Sequence, residues 1–413
     1  MFDDSGYERP LRRRGRGNFF THTLMGILGA ALAAGLILAL YTPSGPGISL
    51  PGSGAVPAPA ASAPRLSSGE QGIATKVEPG VVIVNTTLQY SSEAAAGTGM
   101  VINTDGLVLT NNHVIEGSTK ITATVASTGK TYPAVVIGYD KTGDVALIQL
   151  QHASGLTTVP VGDSSSVKAG QVVVALGNAG GQGAIAAVAG QVTELDQTIT
   201  ASEEGGSTAS ETLHGMIQTH ADIVPGDSGG PLASSAGVIG IDTAGNDAND
   251  QQEAAGFAIP INTALSVARQ IAGGRASSTI TIGYPPFMGI FTGSGSSSNP
   301  QTQAQQQDNG SSGSGSTPAC YTSNADLAVP SAIAPVSSGI LIVGTICGSP
   351  AASAGLTGGA VITAVDGHAV GSPNDLASTL SRFHPGDTIT VTWVSPSGHR
   401  TTSSLNLAAG PPQ

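Results

Sequence analysis

The segment from Pro225 to Leu232 constrains the fold of this chain more than any other, because it seats one serine in a turn rich in glycine, Pro-Gly-Asp-Ser-Gly-Gly-Pro-Leu. Glycines allow tight turns and close approach of the backbone, and a serine nucleophile needs an adjacent base and nearby N–H donors. The segment also matches G-x-S-x-G, which α/β-hydrolases place between a strand and a helix. Here Pro231 and a strand-like run follow Ser228, which disfavours that fold. A glycine-rich surface turn without chemistry is the alternative interpretation.

Two upstream segments supply a base and a carboxylate. His113 lies in the apolar run 107–115, and Asp144 comes directly before the apolar run 145–150. Taken alone, His113 is better explained as a histidine near a strand end, and Asp144 as a carboxylate in a turn. Their order along the chain, His then Asp then Ser, is that of chymotrypsin, whereas subtilisins run Asp, His, Ser and α/β-hydrolases run Ser, acid, His. The order therefore predicts a catalytic triad of His113, Asp144 and Ser228.

Together these segments resemble those of trypsin-like proteases, and specifically the HtrA/Deg family of bacterial proteases. Three further stretches carry the resemblance: Gly-Thr-Gly-Met-Val-Ile at 97–102, Ala-Leu-Gly-Asn at 175–178 and Gly-Phe-Ala-Ile-Pro-Ile at 256–261. The resemblance extends from about residue 70 to the end and is nearest in style to secreted or membrane-anchored actinobacterial members. It implies a mainly β fold, with a chymotrypsin-like double six-stranded β-barrel followed by an α+β PDZ domain.

The resemblance also implies a serine endopeptidase that forms an acyl-enzyme. Ser228 would attack a peptide carbonyl, His113 would carry the proton, and Asp144 would orient the imidazole. The backbone N–H groups of Gly226, Asp227 and Ser228 are the candidates for the oxyanion hole. No cofactor is expected, and the eight histidines and two cysteines show no metal-ligand spacing, so no metal site is expected either.

Asp222 and Ile223, which precede the serine in the chain, suggest two different kinds of substrate pocket. Asp222 lies six residues before Ser228, where trypsin holds the carboxylate that selects Lys and Arg. HtrA proteins shape this loop differently, with an apolar residue such as Ile223 closing a pocket for small aliphatic side chains. We favour the aliphatic pocket, and an exposed Asp222 without a pocket role is a third interpretation. The expected wall residues are Thr243, Ala244 and Gly245.

Two residues depart from the family pattern. Asp227 stands where HtrA relatives usually have Asn, and His220 stands where Asp is common. In trypsin-like zymogens the aspartate before the serine pairs with a newly cleaved N-terminal amine. No activation sequence of that kind precedes residue 97, so we expect no such cleavage, and the sequence names no partner for Asp227.

The protease domain is expected to span 69–283, with strand-like runs followed by a closing helix from Ile261 to Ala272. A PDZ domain is expected over 284–408. Its carboxylate-binding loop would be Phe287, Met288, Gly289 and Ile290, which would bind the C-terminus of a peptide added to a sheet edge. A low-complexity insertion at 293–318, almost wholly Gly, Ser, Gln, Asn and Thr, is expected to be disordered.

The two cysteines, Cys320 and Cys347, are separated by 27 positions. In an oxidising compartment they are expected to form a disulfide. Two free buried thiols are the alternative.

The N-terminus has the composition of a membrane anchor. A basic segment, 1–22, with five arginines precedes an apolar stretch, 23–42, and a linker rich in Pro, Gly, Ala and Ser, 43–68. The apolar stretch is just long enough to cross the hydrocarbon core as a helix, and the arginines should keep the N-terminus in the cytoplasm. We expect a single-pass protein of the cell membrane with the protease and PDZ domains outside the cytoplasm. A cleaved signal peptide is the alternative.

The net charge of the chain limits which kinds of partner it can bind. After residue 17 the chain carries 10 basic against 24 acidic residues, because 5 of the 15 basic and 3 of the 27 acidic residues precede that point. This acidic balance argues against nucleic acid as a partner. The expected partners are unfolded or damaged exported polypeptides. A latent or non-proteolytic PDZ chaperone or adaptor is the competing function.

HtrA proteins often form trimers through aromatic residues near the start of the protease domain, where this chain has only Tyr90, so trimer and monomer both stay open.

Overall fold

A computed structural model describes residues 66–202, 210–243, 255–293, 298–307, 319–325 and 327–413. The expected basic N-terminus and apolar anchor, and the linker up to residue 65, lie outside this part of the chain. Within the described residues no helix combines the length and apolar character needed to cross a membrane.

The first element is a helix that the sequence analysis did not predict, α1 (Ser68–Val77), at the start of the expected protease domain. Ser67 caps it: the Ser67 N–H donates to Glu70 Oε2 at 2.6 Å, and the Glu70 N–H donates back to Ser67 Oγ at 3.4 Å. This reciprocal capping box satisfies two N–H groups at the helix start. The residues that α1 buries are Ile73, Ala74 and Val77.

Six strands close the first barrel. Strand β5 pairs with both β4 and β6, so the order β5-β4-β1-β2-β3-β6 returns on itself. The short helix α2 (Asn112–Ile115) follows β3. In the register of β3 with β6, Thr110 lies opposite Ala146, so the chain leaving β3 and the chain entering β6 run side by side. The strands are β1 (Val81–Leu88), β2 (Glu93–Val101), β3 (Leu107–Thr110), β4 (Lys120–Val125), β5 (Thr131–Asp140) and β6 (Val145–Leu150).

A second barrel closes in the order β10-β11-β12-β9-β8-β7. Its strands are β7 (Val172–Gly177), β8 (Ala186–Ser202), β9 (Ser210–Thr219), β10 (Pro231–Ser234), β11 (Gly237–Thr243) and β12 (Gly256–Pro260). Helix α3 (Ile261–Ala272) follows with the bounds that the sequence predicts, and β13 (Ile280–Ile282) returns to pair with β5 of the first barrel. The mainly β fold with paired barrels is therefore confirmed.

The two barrels share one buried core. It joins residues of α1, of both barrels and of α3, including Val77, Leu109, Leu176, Ile241 and Ile261. Burial of a side chain of this size stabilises the fold by about 1.5–3 kcal/mol. The shared core therefore holds the two barrels in a fixed relation.

The chain from residue 284 onward builds a second sheet, in the order β15-β16-β17-β19-β20, with β18 on β17 and a separate pair of β14 with β21. Leu376 is buried in its core, and Leu380 and Phe383 pack against that core. The strands are β14 (Pro286–Phe287), β15 (Ile290–Thr292), β16 (Ile340–Thr345), β17 (Val361–Val365), β18 (His368–Ala369), β19 (Thr388–Val394), β20 (Arg400–Asn406) and β21 (Ala408–Ala409). The helices are α4 (Pro300–Gln307), α5 (Pro350–Ser353) and α6 (Pro373–Leu380).

Helix α4 lies inside the stretch expected to be disordered, and that expectation is wrong for residues 300–307. The Gln303 side chain is fully buried, donates to Gly339 O at 2.9 Å and accepts the Leu341 N–H at 2.8 Å. One amide thus satisfies two backbone groups at the start of β16, and the neighbouring Ala304 is buried in a small apolar cluster with Leu341 and Val361. Residues 294–297 and 308–318 of this stretch lie outside the described part.

Several contacts join the region from residue 284 onward to the barrels. The rings of Tyr90 and Phe287 stack at 5.7 Å with an angle of 14°. The Asn324 N–H donates to Tyr90 O at 2.7 Å, and the Gly117 N–H donates to Pro412 O at 2.8 Å. Tyr90, the aromatic considered for contacts between subunits, therefore packs within its own chain.

Candidate active site

The segments after β3 and before β6 bring His113 and Asp144 together. His113 Nδ1 lies 2.9 Å from Asp144 Oδ2 and 3.1 Å from Oδ1, and the His113 N–H donates to Oδ1 at 3.0 Å. Asn111 holds the other side of the turn, donating from Nδ2 to Asp144 O at 2.8 Å. Because an ionised carboxylate only accepts hydrogen bonds, this contact puts the imidazole proton on Nδ1 and leaves Nε2 as an acceptor.

Asp144 itself adopts a backbone conformation that few side chains tolerate, with φ at +49°. Aspartate is among the residues that enter this left-handed region most readily. The side chain is 2% exposed and lies directly before the buried strand β6. The turn therefore aims one carboxylate at the β3–α2 connection and shields it from solvent.

Thr243 gives the Asp144 carboxylate a further hydrogen-bond donor. Its hydroxyl donates to Asp144 Oδ2 at 2.9 Å, and the residue is 2% exposed. The sequence analysis placed Thr243 in the wall of the substrate pocket. The structure turns its side chain to the carboxylate, which corrects that expectation.

The serine lies in a loop locked by backbone hydrogen bonds. The Gly229 N–H donates to Asp242 O, the Asp242 N–H donates to Gly230 O, and the Gly230 N–H donates to Asp227 O, each at 2.8 Å. Gly229 has φ at +86°, and a Cβ there would overlap the backbone of β2, so no other residue fits. These bonds fix the turn on both sides of Ser228.

Packing also brings α2 and the serine loop together. A Cβ on Gly97 would lie 2.8 Å from the methyl groups of Val114 and 3.2 Å from Ser228 O. Gly97 is therefore a contact point between the helix that carries His113 and the loop that carries Ser228.

The three predicted oxyanion donors differ in their hydrogen bonding. The Asp227 N–H donates to Val224 O at 3.0 Å, closing a turn, so it is already used. Gly226 has φ at +99°, and a Cβ there would overlap Asn178 O. The N–H groups of Gly226 and Ser228 are therefore the better candidates within the predicted set.

Thr98 is a residue that the motif analysis quoted but gave no role. Its hydroxyl donates to Gly226 O at 2.7 Å and accepts the Asn178 N–H at 2.9 Å, and its own N–H donates to Ser228 O at 2.8 Å. It is fully buried. Thr98 thus ties strand β2 and the end of β7 to the serine loop. The signal in the sequence was its place between Gly97 and Gly99.

The predicted pocket residues differ in their exposure to solvent. Asp222 is exposed, whereas Ile223 is half-buried and packs against the core of the second barrel. A Cβ on Gly256 would meet the Ile223 side chain at 2.7 Å, so the first residue of β12 has to be small there. Ala244 and Gly245 lie outside the described residues.

Two buried carboxyl groups flank the serine loop. Burial raises the pKa of Asp227 to about 6; the Val224 N–H, which donates to Asp227 Oδ2 at 3.0 Å, opposes this shift, and the charge of Asp222 adds to it. Burial also raises the pKa of Asp242 well above its usual range, with a further contribution from Asp227. Among the described residues neither carboxyl oxygen of Asp242 has a hydrogen-bond partner. Sequence reasoning missed Asp242, because its burial depends on strands distant in the chain.

The predicted peptide-binding loop runs from β14 into β15. Phe287 pairs with Ala408 and stacks on Tyr90, while Met288 is 2% exposed within the core of the C-terminal sheet. Gly289 has φ at +77°, and its carbonyl accepts the Ile346 N–H at 2.9 Å. Ile290 begins β15.

A disulfide joins Cys320 to Cys347, with Cα atoms 4.9 Å apart. It fastens the segment before residue 327 to the end of β16. Among the residues that the structure describes, no group of three or more His, Cys, Asp or Glu side chains could hold a metal ion.

Comparisons with known proteins identify the family of this chain. Residues 97–241 match the family model of the trypsin-like peptidase domain. The chain is 32% identical over 400 residues to the serine protease PepD of Mycobacterium tuberculosis, covering 92% of this chain and 74% of PepD. It is 32% identical over 334 residues to the serine protease Do-like HtrA of Lactococcus lactis subsp. cremoris, covering 78% and 72%. A solved structure of the HtrA-type protease AlgW with tripeptide aligns over 83% of this chain and 98% of its own, with 24% sequence identity and a TM-score of 0.43.

Proposed function

This chain belongs to the HtrA family of trypsin-like serine proteases and is a serine endopeptidase, and we propose that His113, Asp144 and Ser228 are its catalytic triad. The observation that carries the proposal is the contact of His113 Nδ1 with the buried Asp144 carboxylate, 2.9 Å to Oδ2. Thr243 supports it by donating to the same oxygen. Together these bonds orient the imidazole and leave Nε2 for the serine.

In the proposed reaction Ser228 Oγ attacks a peptide carbonyl while His113 Nε2 accepts the serine proton. The N–H groups of Gly226 and Ser228 stabilise the negative charge that develops on the carbonyl oxygen. His113 then protonates the leaving amine, and a water molecule, activated by the same histidine, hydrolyses the acyl-enzyme. Asp144 keeps the imidazole in the required tautomer and stabilises its positive charge.

The proposed substrates are unfolded or damaged exported proteins, cut after small aliphatic residues. Ile223 supports the aliphatic preference, because it is half-buried against the core of the second barrel and in reach of Gly256. Asp222 is exposed, which weakens the case for a pocket selecting Lys or Arg.

We assign the region from residue 284 onward as a PDZ domain that binds peptide C-termini or regulates the protease. Support comes from β15, an edge strand directly after the loop Phe287–Ile290, where an added peptide strand would find free backbone groups. The loop's tight turn at Gly289 fits this role. The apolar stretch 23–42 would anchor the protein to the cell membrane with the protease outside the cytoplasm, and a trimer or a monomer is compatible with the proposal.

The test is hydrolysis of casein by the full-length chain in detergent, with a fluorophosphonate probe for the reactive serine. Ser228→Ala is expected to abolish hydrolysis and labelling, leaving a rate lower by on the order of 10⁴-fold or more. Ser235→Ala, at an exposed serine seven residues away, is the matched control and should behave as wild type. Labelling that persists in Ser228→Ala would refute the triad. A folded wild type that neither cleaves nor labels would favour a latent protein or a non-proteolytic adaptor, and mapped cut sites would decide between aliphatic and basic preference.

A further inference from the structure

Asp242 is a fully buried carboxyl group to which the proposed mechanism gives no role. It lies on β11 opposite Ala258 of β12, and cross-strand partners share a face of the sheet. Ala258 belongs to the core of the second barrel, so the Asp242 side chain faces that core. Its neighbour Thr243 therefore faces the other way, toward Asp144, as its hydrogen bond shows.

The surroundings of this carboxyl offer no compensation for a negative charge. Its two oxygens have no hydrogen-bond partner among the described residues. Strands β7, β10 and β12, which surround this part of the barrel, carry no titratable side chain. The charge that acts on it is that of the Asp227 carboxylate on the serine loop. An isolated carboxyl group in such a place keeps its proton, because ionisation without a partner is too costly.

Asp242 also interacts with the residues on both sides of Ser228. Its backbone carbonyl accepts the Gly229 N–H and its N–H donates to Gly230 O, both at 2.8 Å, directly after Ser228. Its carboxyl group is close enough to Asp227, directly before Ser228, for the charge of Asp227 to act on it. A second negative charge here would repel Asp227 and oppose the oxyanion that forms at Ser228.

We propose that Asp242 is a positioning residue that works as the neutral acid: while it holds its proton the Gly226–Gly230 loop stays seated, and when it loses the proton catalysis falls. The inference deepens the proposed function and rests on Ser228 being the nucleophile. Protonated, Asp242 fills the space beneath the loop without charge. Ionised, it pairs with no cation and pushes against Asp227.

The test compares full-length wild type with Asp242→Asn, an isosteric side chain that cannot ionise, over about pH 5 to 10. The measured quantities are kcat/KM for peptide hydrolysis and the rate of fluorophosphonate labelling. Wild type is expected to lose about tenfold in both per pH unit above the point where Asp242 ionises, whereas Asp242→Asn should lack this alkaline decline. Asp196→Asn, the same change at an exposed aspartate in the second barrel, is the matched control and should follow wild type. Profiles of the same shape in wild type and Asp242→Asn, or a wild type without the decline, would overturn the proposal.

A second measurement does not depend on a folded variant or on activity. In wild type labelled with ¹³C at the aspartate carboxyl carbons, NMR should detect one aspartate that is still protonated at neutral pH. The absence of any protonated aspartate at that pH would refute the assignment. Failure of Ser228 to label at every pH would instead favour a latent protein or a non-proteolytic adaptor, while the NMR titration would still decide the protonation state of Asp242.

Discussion

Asp227, directly before the proposed nucleophile Ser228, should make the stability of the fold depend on pH. The pKa of Asp227 is raised to about 6 in the folded chain, chiefly by burial, against about 4 in the unfolded chain. The folded state therefore binds more protons than the unfolded state between these values, so stability is fully present below about pH 4 and declines as the pH rises through about 6. The carboxylate that remains at neutral pH is partly desolvated and destabilises the fold.

Asp227→Asn should remove this penalty while its side-chain oxygen still accepts the Val224 N–H. We expect the variant to exceed wild type in free energy of unfolding by about 1–3 kcal/mol at pH 7 and to match it near pH 4. Urea denaturation at the two pH values measures the difference. An advantage of equal size at both pH values would show that the gain does not come from the proton.

At this scale the sequence singled out three catalytic candidates, two of which, His113 and Asp144, are in contact, but it did not single out the residues that support them. His113, Asp144 and Ser228 are recognisable because three short motifs occur in one particular order. Thr243 was expected in the pocket wall and instead bonds Asp144, since the face that a strand residue presents depends on the pairing of β11 with its neighbours. Asp242 was not singled out at all, because a carboxyl group next to an apolar run looks the same in sequence whether buried or exposed.

Among the elements, the connection of β2 to the serine loop depends on one hydroxyl. Thr98→Val keeps the shape of the side chain but leaves Gly226 O and the Asn178 N–H without their buried partner. We expect a loss of about 1–3 kcal/mol in stability. We also expect a fall in kcat/KM on the order of 10- to 100-fold, because the proposed oxyanion donors would shift. Thr98→Ser retains the hydroxyl and is the matched control, so equal kcat/KM values for the two variants would argue against this role.

Strands were easier to predict than the helices that flank them. The apolar run 145–150 coincides with β6, and the run 107–115 contains β3, although its last residues form α2. The capping-box signal of α1, Ser67 followed by Glu70, was present in the sequence but crossed the expected boundary between the linker and the protease domain, where no helix was predicted. Helix α4 has a composition typical of disorder. It is held by the buried Gln303 amide, whose partners lie more than thirty residues away, and by the burial of Ala304 in a small apolar cluster.

In the whole molecule, the sequence predicted the order of the regions but not the contacts between them. Resemblance to a family indicates which folds follow one another along the chain. It does not indicate that Tyr90, in the turn after β1, meets Phe287 almost two hundred residues later. The same holds for the Gly117 N–H, just after α2, which donates to Pro412 O. The Gly117 contact lies two residues beyond the helix that carries His113, so the C-terminal region is attached to the first barrel close to one of the catalytic candidates.

The stacking of Tyr90 on Phe287 should control how tightly that region is held. A stacked aromatic pair contributes about 0.5–1.5 kcal/mol beyond its buried area. Tyr90→Ala should therefore speed amide hydrogen exchange about two- to tenfold in peptides that cover 284–292 and 408–413. Exchange in β7 and β10, whose contacts do not change, should stay as in wild type. Tyr90→Phe retains the ring and is the matched control. If Tyr90→Ala exchanges at the wild-type rate throughout, the C-terminal region is held by its backbone hydrogen bonds to Gly117 and Tyr90 rather than by the aromatic pair.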